Sequence, residues 1–232
     1  MTEAAAWAAS GAPHGALVVA ERQTAGRGRH GRAWTDAPGQ SLLFSLVLRP
    51  TLPPDRLGLV PLAAGLAVAE AAETFGVRAS VKWPNDVRVD GRKLAGVLTE
   101  ATWAGVASTV ILGIGVNVGQ AAFPEPLADL ATSLRLANGQ PVERLAPLTP
   151  ILARLGVRLA EAEDKPGALI QAVEARMEGV GEPVTVGFPD HARAPLSGDL
   201  LGLAPDGALR LRTEVGEKAV HAGEVTLSPA LP

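Results

Sequence analysis

An unbroken apolar octapeptide, SLLFSLVL at residues 41–48, is followed across a proline turn by an alanine- and leucine-rich stretch at residues 59–75. This succession constrains the fold more than any other feature. A run too apolar to face water on either side reads as a buried strand, and Arg49-Pro50 closes it because proline holds the residue before it extended. Pro53 and Pro54 mark the turn. The next stretch carries Glu70 and Glu73 on a polar side, has Pro61 in its first turn and stops at Gly76, the pattern of a capped helix. A buried strand leading to an apolar helix predicts a sheet with helices laid against it.

The remaining chain supplies the other strands. Residues 16–20 form a short β-branched strand that runs into a loop, residues 21–32, too rich in Gly and Arg for regular structure. Short strands are predicted at 77–82, 87–89, 94–99 and 109–118, with Asp90-Gly91 as a type I′ hairpin signal. Helical patterns return at 145–163 and 166–177, and Gly179 and Gly181 end them. Strand signals at 183–186, 197–203, 208–213 and 218–226, with a turn at Asp206-Gly207, then describe a small all-β module. With 232 residues, the chain exceeds one average domain and falls short of two. A large unit at 1–180 and a small one at 181–232 are expected.

Composition narrows the function. Apolar residues at 47% and charged residues at 19% exclude a disordered chain. The net charge of −3 provides no global field for nucleic acid or an acidic membrane, so any basic site must be local. The absence of cysteine excludes disulfides, thiolate metal sites and cysteine nucleophiles, and makes a cytoplasmic protein the default. Residues 1–10 lack a basic head, and no stretch is expected to reach the roughly 18 uncharged apolar residues that span a bilayer. His14, His30, His191 and His221 are scattered without metal-ligand spacing. Neither a Walker-type phosphate loop nor a Gly-x-Ser-x-Gly elbow is present.

Three segments carry chemistry. In QTAGRGRHGR, residues 23–32, arginines alternate with glycines in an otherwise acidic chain. Glycine lets backbone approach a ligand, and the spacing puts Arg27 and Arg29 on a common side as bidentate donors for carboxylate or phosphate oxygens. A solvated loop and a tether for nucleic acid are the competing readings. In KWPND, residues 82–86, Trp-Pro makes a rigid corner that aims Asn85 and Asp86, and Lys93-Leu94-Ala95-Gly96 follows a hairpin later. Turn capping by Asp86 and a solvated strand edge for Lys82 and Lys93 are the alternatives. In GIGVN, residues 113–117, period two places Gly113, Gly115 and Asn117 on one face of an apolar strand, where a ligand or close packing would compensate for the missing side chains. Trp34 either covers a ligand ring or packs on the core.

Taken together, QTAGRGRHGR, KWPNDV with RKLAG at 92–96, and GIGVN resemble the biotin–protein ligases, and the closing residues 198–227 are similar to that family's small C-terminal barrel. The resemblance implies an α+β fold: a mixed sheet flanked by helices in a class II synthetase-like catalytic domain, followed by an SH3-like β-barrel. It also implies a two-step reaction. Biotin is activated by ATP, with Mg²⁺ on the triphosphate, to biotinyl-5′-AMP, and is then transferred to a lysine of the biotin carrier domain of acetyl-CoA carboxylase. By the family pattern Thr2, Gln23, Arg27, Gly28, Arg29, Lys93, Gly96, Gly113 and Gly115 serve biotin. Arg29, Arg32, Trp34, Asn85, Lys93 and Asn117 serve the nucleotide. Arg29, Lys93 and Asp86 act on the reacting groups, Asp86 by orienting the incoming lysine. The Arg/Gly loop is expected to order over the intermediate.

Two departures shape the expectation. Where the family carries Ser-Thr-Asn, this chain has Met1-Thr2-Glu3, so a chain extended at its N-terminus is expected to bind biotin more tightly. No segment for a helix-turn-helix precedes the catalytic motifs, and no DNA binding is expected of a monofunctional ligase. Family members also form side-by-side dimers, which leaves a homodimer open. Lipoate or octanoyl transfer on the same fold is the alternative activity, and a nucleic-acid-binding module using the Arg/Gly loop is the alternative outside the enzyme class.

Overall fold

The computed structural model describes residues 1–35, 38–104, 107–188 and 193–227; His191 lies outside the described residues. Its larger sheet has six strands: β1 (Leu17–Ala20), β2 (Ser41–Leu48), β3 (Ser80–Lys82), β4 (Asp86–Val89), β5 (Arg92–Ala104) and β6 (Ala107–Asn117), in the order β1-β2-β6-β5-β4-β3. Every pairing between these strands is antiparallel. The sheet is mixed only through two isolated parallel bridges, Val81 with Met177 and Lys93 with Ala131. Short connections account for the β3–β4, β4–β5 and β5–β6 pairings, because a parallel neighbour needs a long crossover. One of those connections turns at Asp90 (φ 48°) and Gly91 (φ 77°), the left-handed pair that a type I′ turn requires.

Alternation along the strands divides the sheet into two faces. Leu42, Phe44, Leu46 and Leu48 of β2, Leu112, Ile114 and Val116 of β6, and Ala95 and Val97 of β5 all enter the main core. Covering them is α2 (Leu59–Ala72), which ends in a 3₁₀ turn and a left-handed Gly76 at φ 72°. Helices α4 (Leu148–Asp164) and α5 (Pro166–Glu174) pack against α2. Residues Pro54–Phe75 have the length and mean hydropathy of a membrane span, but Asp55, Arg56, Glu70 and Glu73 interrupt them, so they contain no run of 18 uncharged residues, as the sequence leads one to expect. Apart from Glu70, α2 within them is apolar all round because it is sandwiched between the sheet and α4, the setting of a core helix.

The opposite face is half closed. An alanine-rich helix that sequence reading missed, α1 (Thr2–Ala9), covers one end, where Ala4, Ala12 and Ala16 meet Val47 and Ile111 in a small second core. Alanine is the strongest helix former, and that signal was available in TEAAAWAA. The other end stays open. A short helix, α3 (Leu134–Asn138), starts at Ser133, whose hydroxyl caps it by accepting from Leu136 N.

Strands β7 (Pro183–Gly187), β8 (Leu196–Leu203), β9 (Leu209–Thr213), β10 (Gly216–Val220) and β11 (Glu224–Leu227) form an antiparallel sheet ordered β10-β9-β8-β7-β11. The single strand expected at 218–226 is two. Its first half pairs with β9 and its second with β7, on opposite sides of the sheet, so the chain must turn between them. This sheet is tied to the larger unit by Trp83 Nε1 donating to Gly207 O (3.1 Å) and Leu203 N donating to Glu174 Oε1 (2.6 Å).

Candidate active site

The open end of the sheet is a cleft of about 390 Å³. Its floor follows from register. Leu43, Gly115 and Gly96 stand side by side across β2, β6 and β5, and Ser45, Gly113 and Leu98 form the next row. Three of these six positions lack a side chain, which makes a flat shelf at the centre of the sheet. Trp34 lies over it: a methyl at Gly115 would stand 2.8 Å from Trp34 Cε2, and one at Gly96 3.0 Å from Cζ3. Met1 covers Gly113 in the same way. The indole Nε1 is buried there without a hydrogen-bond partner among the described residues.

The Arg/Gly loop forms the roof. Gly28 N donates to Arg32 O (2.7 Å) and Trp34 N to Gly26 O (3.0 Å), so the segment folds back on itself around a turn at Arg29–Gly31. Arg27 pairs with Glu100 (3.1 Å), and Arg32 pairs with Glu224 of β11. Arg29 reaches inward, its Nη1 donating to Asn85 Oδ1 (3.3 Å) and to Gly223 O (3.4 Å). Burial pushes the Arg29 guanidinium below its usual pKa, while Asp86 opposes the shift. The alternation that suggested a common side therefore splits: Arg27 is held at the sheet and Arg29 faces the corner.

That corner is built by the cis Trp83-Pro84 peptide between β3 and β4. Asn85 Nδ2 donates to Val97 O (2.7 Å), which fixes its oxygen toward Arg29. Asp86 Oδ1 lies 2.6 Å from Lys93 Nζ, and that ammonium stands 5.7 Å from the Trp34 ring centroid. Lys82 also borders the cleft, with its pKa lowered first by burial and then by Arg88. Six cationic side chains, Arg22, Arg27, Arg29, Arg32, Lys82 and Lys93, thus surround the shelf against three carboxylates, Glu3, Asp86 and Glu224. Among the described residues, no three His, Asp or Glu side chains converge to hold a metal ion.

Of the residues singled out from sequence, Thr2, Gln23, Arg27, Gly28, Arg29, Arg32, Trp34, Asn85, Asp86, Lys93, Gly96, Gly113 and Gly115 all line this cleft. Asn117 does not. It is buried one pair beyond the shelf, opposite Ser41, with Nδ2 donating to Lys93 O (3.3 Å). Sequence reading missed Leu43, Ser45 and Leu98, which pairing register would have revealed, and Glu224, for which no local signal exists. The buried Gln120 was also missed.

Comparison with known proteins adds an independent finding. Residues 2–117 match the model of the biotin/lipoate A/B protein ligase family, and residues 179–228 match the biotin protein ligase C terminal domain. The chain is 35% identical to a biotin–[acetyl-CoA-carboxylase] ligase of Paracoccus denitrificans, covering 94% of this chain and 92% of that one. It is likewise 35% identical to the protein of that name from Mycobacterium tuberculosis, covering 94% and 81%. Among solved structures it resembles the biotin protein ligase of Aquifex aeolicus in complex with biotin and ATP, with TM-score 0.81, 35% identity and coverage of 94% and 91%.

Proposed function

The chain belongs to the biotin/lipoate A/B protein ligase family, and from that premise we propose that it is an ATP-dependent biotin protein ligase acting on the biotin carrier domain of an acetyl-CoA carboxylase. The observation that carries this reading is the excess of cationic side chains around a glycine shelf, in a chain whose net charge is −3. Such a site is built for a flat ligand that brings negative charge with it.

In the first step a carboxylate oxygen of biotin attacks the α-phosphorus of ATP, the bond to pyrophosphate breaks, and biotinyl-5′-AMP forms. Negative charge grows on the phosphoryl oxygens and the leaving group. Arg29 and Lys93, fixed by Asn85 and Asp86, offer donors that need no reorganisation as that charge develops. In the second step the neutral amine of the acceptor lysine attacks the acyl carbon, AMP departs with the bonding electrons, and a proton leaves the nitrogen. Asp86 is the residue proposed to orient that amine. On this reading Thr2, Gln23, Arg27, Gly28, Gly96, Gly113 and Gly115 serve biotin, and Arg32, Trp34, Asn85 and Asn117 serve the nucleotide. Mg²⁺ enters as part of the nucleotide substrate, held by its phosphates. Closure of the Arg/Gly loop over the mixed anhydride would keep water from it. Cytoplasmic residence and a side-by-side homodimer belong to the same proposal.

Intact-mass spectrometry of a carrier domain incubated with this chain, biotin and MgATP tests the reading. One added biotinyl group, lost when ATP is omitted, is the expected result. No addition with biotin but modification with lipoate would replace the substrate and refute the proposal. Asp86→Asn with an undiminished transfer rate would remove that residue from the second step.

A further inference from the structure

Lys93 sits where the pairing of β5 with both its neighbours is interrupted. Between Val87 and Arg88 the register of β4 against β5 shifts, so that Val87 faces Ala95 while Arg88 faces Lys93, and Leu94 is left as the extra residue. A bulge of this kind re-aims a side chain and interrupts the ladder. On the other flank, the pairing of β5 with β6 begins only at Ala95, opposite Val116. The main chain of Lys93 therefore takes its hydrogen bonds from elsewhere. Its N–H donates to Leu130 O (2.8 Å), and its carbonyl accepts from Thr132 N (2.9 Å) and from Asn117 Nδ2 (3.3 Å).

The Asn117 amide can donate to Lys93 only in one orientation, and that orientation is braced from behind. Gln120 is buried, with 4% of its surface exposed. Its Nε2 donates to Ser41 Oγ (2.7 Å) and to Asn117 Oδ1 (3.3 Å). Lys93 O can only accept, so Asn117 turns Nδ2 to it and Oδ1 back toward Gln120, and Gln120 must then meet that oxygen with Nε2 and hold the amide in place. The arrangement leaves Gln120 Oε1 buried with no partner among the described residues. An unmet buried acceptor persists where surrounding contacts over-determine it, and here Ser41 and Asn117 do so. Ser133 Oγ donating to Gln120 O (2.7 Å) anchors the main chain of the same residue.

We propose that Gln120, acting through Asn117, is a positioning residue for Lys93: the relay Ser41–Gln120–Asn117 holds the bulged backbone from which the Lys93 ammonium reaches Asp86 and the cleft. The proposal rests on the ligase reading above. It makes Gln120 matter to the chemical step although it lines no part of the cleft, and it assigns Asn117 a main-chain partner whether or not it also meets the nucleotide.

Pyrophosphate release, measured with biotin and MgATP, tests it in four proteins: the unaltered chain, Gln120→Met, Lys93→Ala and the double variant. Displacing a reacting group by about 1 Å costs up to ~100-fold in rate. Accordingly, Gln120→Met is expected to lower kcat by at least about tenfold while KM for biotin and for ATP stays within about twofold. In the Lys93→Ala background the same substitution is expected to change kcat by less than about twofold, because the group it positions is gone. Gln120→Leu, a second apolar replacement, made together with urea-denaturation midpoints of both variants that match the parent's, guards against a folding defect and is expected to show the same split. Equal losses in both backgrounds, a rise in KM for ATP at unchanged kcat, or full activity of both variants would overturn the proposal. An unaltered chain that releases no pyrophosphate would instead refute the ligase reading, and the proposal with it.

Discussion

Gly115→Ala separates the two reasons a central strand can carry glycine: to let a neighbouring side chain pack, or to let a ligand lie flat. Gly115 sits mid-sheet between Leu43 and Gly96. An added methyl would stand 2.8 Å from Trp34 Cε2 and 2.9 Å from Cζ2, against the ~3.5–4.0 Å of a favourable carbon contact. The indole must therefore retreat by roughly 0.7–1.2 Å. Trp34 ends a loop and is not embedded in a helix or strand, so it can move. Two effects then compete in stability. Alanine restricts the unfolded chain, worth about 0.4–1 kcal/mol in favour, and overpacking costs about 1–3 kcal/mol before the indole relaxes. The net change is expected to lie within about 1 kcal/mol. A ligand seated on the shelf has no such freedom, so the same 1–3 kcal/mol is expected as a roughly 5- to 150-fold weaker Kd for biotin. Isothermal titration with biotin and urea denaturation of the same preparations measure the two quantities. Unchanged biotin affinity together with a stability loss above about 3 kcal/mol would refute the reasoning and make the glycine a packing residue for Trp34.

Two further substitutions test the charges. Lys82 has its pKa lowered below 10.5, chiefly by burial, so between the folded value and 10.5 the unfolded chain holds more protons and stability rises with pH. Lys82→Met is therefore expected to be more stable than the parent at pH 7, with the advantage shrinking as pH approaches 10.5; lower stability at pH 7 would show that attraction to Asp86 and Glu178 outweighs burial. Arg158 clamps the buried Glu70 through Nη2 (2.5 Å) and Nε (3.2 Å) and also holds Glu161 (2.6 Å). Arg158→Ala strands the Glu70 carboxylate and is expected to cost about 3 kcal/mol in urea denaturation, most of it recovered when Glu70→Leu and Arg158→Leu are combined. A loss below about 1 kcal/mol would mean that Glu70 is re-solvated.

The chain by itself determined which residues face the core and which chemistry gathers. The unbroken apolar SLLFSLVL marked a buried strand, period two in GIGVN marked a glycine face, and an arginine-rich loop in an acidic chain marked where anions would be met. Those properties are local: they depend on alternation, on missing side chains and on fixed charge, all readable along the backbone. Tertiary structure decided what no local pattern carries. Gly96 lies beside Gly115 only because β5 pairs with β6 in one register. Glu224, almost two hundred residues from Arg32, meets it only because the last strand crosses to the far side of the small sheet. Lys93 sits beside the bulge at Leu94, and on the flank where β6 no longer pairs its main chain is held by Asn117, Leu130 and Thr132. Hydrogen bonds of that kind form between segments whose separation along the chain bears no relation to their distance in space.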